Sequence, residues 1–240
     1  AEKEVVVRRM ERWLNAPIKD VPSTRKILRR AHVPSCLGAS GQPDTIRLCC
    51  IRVEFESVPD PSKITGGTGG FDLSDRRHEI PIDPPPHDRK YFSKHMEALA
   101  YYYRAMSQGQ LVIESEIFPL ENDGAYLLPG VDKYNPGGRS DTWTWENLEA
   151  FFRDAILAAD QDPAIDFSAY DGFVIFHAGS DWQNDIMGDS PYDIPSFFIT
   201  IAGSIAVDDS STFVVDGSVI PETTSQDGYF NGLNGVLAHE

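Results

Sequence analysis

The sequence predicts a mixed α/β fold (α+β), a twisted sheet with helices packed on it. Three observations carry that reading. Thr45 to Glu56 (TIRLCCIRVEFE) is a nearly continuous apolar run, the pattern of a strand inside a sheet. Asp88 to Gly109 places Phe92, His95, Met96, Leu99, Tyr102, Tyr103 and Met106 at helical spacing, and Gly109 closes it. Strand-like and helix-like segments then alternate before a run of strands, which favours one sheet with helices on its faces.

The elements follow in order. Glu2 to Leu14 reads as a short amphipathic helix, and residues 15 to 44 as an irregular leader or linker rich in Pro, Arg and Ser. The domain division is therefore placed at 44/45, with 1–44 a leader or linker and 45–240 the folded body. Ser57 to Pro86 is loop, broken by Gly66 to Gly70 and by Pro84-Pro85-Pro86. Leu111 to Pro119 is a strand, and loop is predicted from there to Gly138. Thr144 or Asp141 caps a second helix through Leu148, Phe151, Phe152, Ile156 and Leu157. Asp171 to Ala178 is a buried strand, and Ser196 to Ser204 and Ser211 to Ile220 are two more, with Asp208-Asp209 a turn between them. Asn231 to Glu240 opens a helix with Leu233, Val236 and Leu237 on one face.

Composition narrows the function. Hydrophobic residues make up 41% of the 240, enough for a substantial core. No run reaches the ~18 apolar residues of a membrane span. The net charge of −16 would repel a polyanion, which argues against nucleic acid as partner. The plain reading of so acidic a surface is solubility; the sharper one is divalent-cation binding. The chain starts at Ala1 rather than Met, with no signal segment, so a processed start or a fragment boundary is expected. Cys36, Cys49 and Cys50 leave the compartment open. Adjacent strand residues face opposite ways, which argues against a Cys49–Cys50 bridge; a bridge from Cys36 and buried free thiols both remain.

His239-Glu240 ends an apolar helical stretch. In an HExxH helix two histidines four apart share a zinc ion, and the glutamate is the general base for a metal-activated water. Only the first half of that pattern is present, and a bare His-Glu pair is weak alone. Its setting adds to it. Ser218 to Glu240 (SVIPETTSQDGYFNGLNGVLAHE) and Tyr170 to Asp185 (YDGFVIFHAGSDWQND) together resemble the immune inhibitor A-like family of secreted bacterial metallopeptidases. Leu48 to Phe55, Tyr91 to Gly109 and Leu111 to Pro119 extend the resemblance over about residues 45–240.

The resemblance implies a zincin-like domain with an incomplete active-site helix. His239 would be the first zinc ligand and Glu240 the catalytic base. The second histidine would fall at the third position past Glu240, with a further ligand beyond. It further implies a secreted zinc endopeptidase acting on proteins or peptides, with an intramolecular propeptide. The 240 residues alone are then expected to be inactive. Zincins bind substrate by strand addition on an antiparallel edge strand; Ser196 to Ser204 or Ser211 to Ile220 would supply it.

Other residues carry weaker signals. His177 ends a buried strand. It reads first as a histidine bonded to the following turn, and alternatively as a second-shell partner or substrate contact near the metal. Asp181, Asp185, Asp189 and Asp193 form an acidic loop, either solvated or holding a structural calcium ion, although the spacing is not that of an EF-hand. Trp143, Trp145 and Trp182 read as lids on the core, with a cleft-lining place as the alternative for Trp182. Gly66 to Gly70 lacks the helix and lysine of a phosphate loop, and no GxSxG is present. Two rival functions remain: a non-catalytic secreted binding module on the same scaffold, and a carboxylate glycosidase, for which nothing pairs the acidic residues.

Overall fold

In the computed structural model the described residues are 43–75, 80–136 and 143–240. The helix read at Glu2 to Leu14, the leader to Gln42, Cys36 and the alternative cap Asp141 lie outside them. The strands are β1 (Asp44–Phe55), β2 (Leu111–Phe118), β3 (Tyr126–Leu128), β4 (Gly172–Ser180), β5 (Phe197–Val207) and β6 (Thr212–Thr223). The helices are α1 (Arg89–Met106), α2 (Trp145–Ala159) and α3 (Leu233–His239). The strands form one six-stranded sheet in the order β2-β1-β4-β6-β5, with β3 also paired to β1. β4 runs parallel to both its neighbours, β1 and β6, whereas β5 runs antiparallel to β6. The mixed α/β class predicted from the pattern is what the chain adopts.

Alternation along the strands builds two cores, one on each face of the sheet. Cys49, Ile51 and Val53 of β1 and Phe173 and Ile175 of β4 face α2, which buries Leu148, Phe151, Phe152, Ala155 and Ile156 against them. Cys50 of β1 and Val174, Phe176 and Ala178 of β4 face the other way, onto Phe92, Met96 and Leu99 of α1 and Leu233 and Leu237 of α3. A strand covered on both faces has no polar side, which is why β1 and β4 read as continuous apolar runs. Cys49 and Cys50 are buried thiols in separate cores, and burial holds both far above the ordinary thiol range.

Local signals set the ends. Asp88 caps α1, its carboxylate accepting the Tyr91 N–H at 2.9 Å. Thr144 and Asn147 form a reciprocal capping box at the start of α2. The β5–β6 turn passes through Asp208, Asp209 and Ser210, all at positive φ. Gly217 of β6 is fixed by its neighbours: a Cβ there would lie 2.7 Å from the Phe152 ring and from the Phe173 carbonyl oxygen. β3 falls within the stretch read as loop. Three residues carry too little pattern to register as a strand; they pair because Val53 to Phe55 of β1 offers them a parallel partner.

Candidate functional site

α3 is a helix of seven residues laid on the α1 face of the sheet. Its apolar positions Leu233 and Leu237 are buried. Polar contacts fix it at both ends. The Leu233 N–H donates to Asp83 Oδ2 at 2.7 Å, and Asn234 Oδ1 lies 2.8 Å from His95 Nδ1 of α1. At the far end the Tyr103 hydroxyl of α1 donates to the Ala238 carbonyl at 2.9 Å. These contacts orient the residues that follow Ala238.

His239 is exposed and Glu240 half-buried. The Glu240 carbonyl accepts the Ser218 hydroxyl of β6 at 3.2 Å, and its carboxylate accepts the N–H of Phe198 in β5. Ser218 and Phe198 are paired residues of the β5–β6 ladder. The end of α3 thus lies over the sheet at its antiparallel margin. Burial raises the Glu240 carboxyl above the ordinary range, and the charge of Asp181 adds to that; His239 and the Phe198 N–H oppose it. Among the described residues β5 is an edge of the sheet and β6 is internal, paired on both sides. Of the two segments read as candidate edge strands, the first is the one with a free side.

His177 belongs elsewhere. It is fully buried on the α2 face, edge-on to Phe151 with ring centroids 6.0 Å apart, and its Nδ1 lies 3.0 Å from the Ala178 carbonyl. Burial pulls its pKa down to about 4, so it is a neutral core residue. The sheet separates it from α3. Its neighbour Phe176 is the side chain that faces α1, 4.6 Å from Phe92.

The acidic loop divides. Asp181 caps the turn Trp182–Asn184 and accepts the Ser196 hydroxyl at 2.9 Å. Asp193 accepts the N–H and hydroxyl of Thr65 at 2.9 and 2.7 Å. Both carboxylates are buried and serve as braces between loops. Asp185 and Asp189 instead meet Asp227, with one oxygen of each within 4.8 Å of the others. Asp227 has φ 58°, and its Oδ2 accepts the Met187 N–H at 2.7 Å. Burial raises the Asp185 carboxyl, and the Asp227 charge adds to the rise. This trio is the one acidic or histidine cluster of metal-ligand spacing among the described residues. Sequence reading could not reach Asp227, which lies 38 positions from Asp189 and joins it only through the fold.

The donor set for zinc is partial. His239 is an exposed imidazole on a helix end, suited to a ligand's role. Among the described residues it belongs to no group of three or more histidines, cysteines or carboxylates at metal-ligand spacing. Trp182 packs edge-to-face on Trp143 with centroids 6.2 Å apart, and half-exposed Trp145 packs on Phe197 at 6.5 Å.

A second polar cluster went unread in the sequence. His87, Tyr91 and His95 pack ring against ring in succession, tilted and then edge-on, with centroids 4.3 and 4.5 Å apart. They lie four residues apart, the spacing of one helix face, and that was the available signal. His87 bonds to Glu222 at the end of β6 at 2.6 Å. The pair borders a cleft of about 370 Å³ at the C-terminal ends of β4 and β6, with Gly66, Gly179 and Phe230 also on its wall.

No protein-family model matches the chain, and no curated protein matches it. No helix among the described residues is long and apolar enough to cross a membrane.

Proposed function

We propose that this chain carries the first part of the active site of a secreted zinc metallopeptidase of zincin type. The observation that supports this reading most is Glu240: a half-buried carboxylate with a raised pKa, bonded to the edge strand on which a peptide would add. The mixed sheet, its antiparallel edge β5 and a helix ending in His-Glu agree with the resemblance drawn from the sequence. Zinc would supply Lewis-acid activation of water and of the peptide carbonyl. His239 would be one ligand. Glu240 would take the proton of the attacking water and pass it to the leaving amine; a carboxyl raised toward the working pH is suited to both transfers. The free side of β5 would orient the substrate by backbone hydrogen bonds. In the same reading Asp185, Asp189 and Asp227 would hold a structural calcium ion, a hard cation served by carboxylate oxygens.

The test uses a chain extended past Glu240 to include the remaining ligands. It is expected to bind about one zinc ion and to hydrolyse protein substrates, whereas the 240 residues alone bind zinc weakly and cleave nothing. In the extended chain Glu240→Gln should abolish turnover with zinc retained, and His239→Ala should lose both. A zinc-free extended chain, or a fully active Glu240→Gln, would overturn the peptidase reading and leave a secreted binding module on the same scaffold.

A further inference from the structure

His87 lies just before α1 and is 3% exposed. Its Nδ1 is 2.6 Å from Glu222 Oε1, and its Nε2 is 3.0 Å from the backbone carbonyl oxygen of Asp83. Both partners are acceptors. The carbonyl has no proton to give. Glu222 already accepts two backbone N–H groups, from Asp72 at 2.5 Å on Oε1 and from Gly179 at 2.7 Å on Oε2, so each of its oxygens is engaged as an acceptor. A neutral imidazole has one N–H and one lone pair. In this buried site it would turn a lone pair on an acceptor at one end, and a buried polar group left unpaired is costly.

The same residues connect to α3. Asp83 stands at φ 51° and works with both its ends: its carbonyl meets His87, and its carboxylate accepts the first N–H of α3 at Leu233. The Tyr91 ring lies against His87, an aromatic face to a cation, and its hydroxyl donates to the Glu222 carbonyl at 3.0 Å. A continuous path therefore runs from β4 at Gly179 and β6 at Glu222, through His87 and Asp83, to the start of α3.

We infer that His87 is held as an imidazolium between Glu222 and the Asp83 carbonyl, and that its charge is the catch that keeps residues 83–87 folded onto the N-terminus of α3. The catch makes the seating of α3 dependent on pH. The titratable and charged groups facing His87 are Glu222 from β6, Asp72 from the preceding loop, Asp83 from its own segment, and Tyr91 and, beyond it, His95 from α1. Burial by itself lowers the His87 pKa, but the hydrogen bond and charge of Glu222, the Asp83 carbonyl and the Asp72 charge together outweigh it and the net shift is upward. A histidine whose folded pKa is raised stabilises fully below its unfolded value, about 6.5, and loses that contribution as pH rises through the folded value. Alkaline conditions should thus release the loop and loosen α3. The inference stands without the peptidase reading; under that reading, α3 is the helix that leads to His239 and Glu240, and His87 is a positioning residue.

The experiment uses the 240-residue chain with ¹⁵N-labelled histidine. At pH 7 the His87 ring is expected to show both nitrogens protonated. Protection of the Leu233 amide from hydrogen exchange, corrected for the intrinsic rate, should fall several-fold as that ring loses its proton. Glu222→Gln should leave His87 neutral at pH 7. In His87→Asn, which cannot carry the charge, Leu233 protection should no longer change with His87's titration range. A neutral His87 ring in the wild type at pH 7 overturns the inference, as does a deprotonation that leaves Leu233 protection unchanged. Both decisive measurements are on the wild type, so a variant that fails to fold does not remove the test. None of the readouts uses zinc or peptide cleavage, so failure here is distinct from failure of the peptidase reading.

Discussion

Arg52 shows what a single side chain does inside this sheet. It sits in β1, a strand covered on both faces, and is fully buried. Its guanidinium donates to the carbonyls of Pro119, Glu121 and Asn122 at 2.9, 2.5 and 2.9 Å, closing the loop that follows β2 onto the sheet. Burial lowers its pKa to about 10, with Arg89 contributing, and it stays charged at neutral pH. Arg52→Met keeps the apolar stem but strands three carbonyls. The expected loss is about 3 kcal/mol in chemical denaturation. A loss under ~1 kcal/mol would mean that water replaces the guanidinium and that Arg52 is no clasp. At this scale the sequence was legible for apolar residues and much less so for polar ones. Cys49 and Cys50 were separable by strand alternation alone. Arg52, His87 and Glu222 were not, because Arg52 and Pro119, His87 and Glu222, and Glu222 and Asp72 lie 67, 135 and 150 positions apart. Polar pairing at such range is a property of the fold.

Elements were read best where period and caps agree. α1 and α2 have both, and each falls within a few residues of its predicted range. The box at Thr144 gives a direct check. The Asn147 N–H donates to Thr144 Oγ1 at 3.3 Å, and the Thr144 N–H donates to Asn147 Oδ1 at 3.1 Å. Thr144 is exposed, so Thr144→Ala removes the cap with little loss of packing. A destabilisation of about 1 kcal/mol is expected, and Thr144→Asp should restore most of it. Equal stability of the alanine variant and the wild type would show that buried Phe151 and Phe152 hold α2 without help from its cap. The edge of the sheet was beyond the sequence. Both β5 and β6 read as apolar strands, and the free edge depends on pairing order. β6 is interior because it lies between β4 and β5. The Asp181 to Asp193 loop shows the same limit: equal spacing implied one cluster, whereas two of its carboxylates turn inward to brace loops and two turn to Asp227.

At the scale of the whole molecule, charge is the term that a solution condition can change most simply. A formal net charge of −16 on 240 residues sets carboxylates against one another, and Asp185, Asp189 and Asp227 concentrate that repulsion in one place. A cation that binds only the folded state stabilises it by RT ln(1 + [L]/Kd), about 2.7 kcal/mol at a hundred times Kd. For a domain of this size, ~1 kcal/mol moves the melting temperature by roughly 2–4 °C. Calcium in that excess should therefore raise the melting temperature by roughly 5–10 °C over the same protein in chelator. Sodium chloride at matched ionic strength screens all carboxylates alike and should give a smaller rise. Asp185→Asn removes one of the three charges but keeps an oxygen able to accept the Gly188 and Asp189 N–H groups, which Asp185 Oδ1 accepts at 2.7 and 3.1 Å. Its calcium-dependent rise should shrink, whereas Asp193→Asn, altered at a brace to Thr65, should lower the baseline and keep the rise. Identical melting curves in calcium and in chelator would sink the calcium reading, and the trio would then be solvated acidic surface. A rise that survives Asp185→Asn unchanged would place the cation elsewhere on the chain.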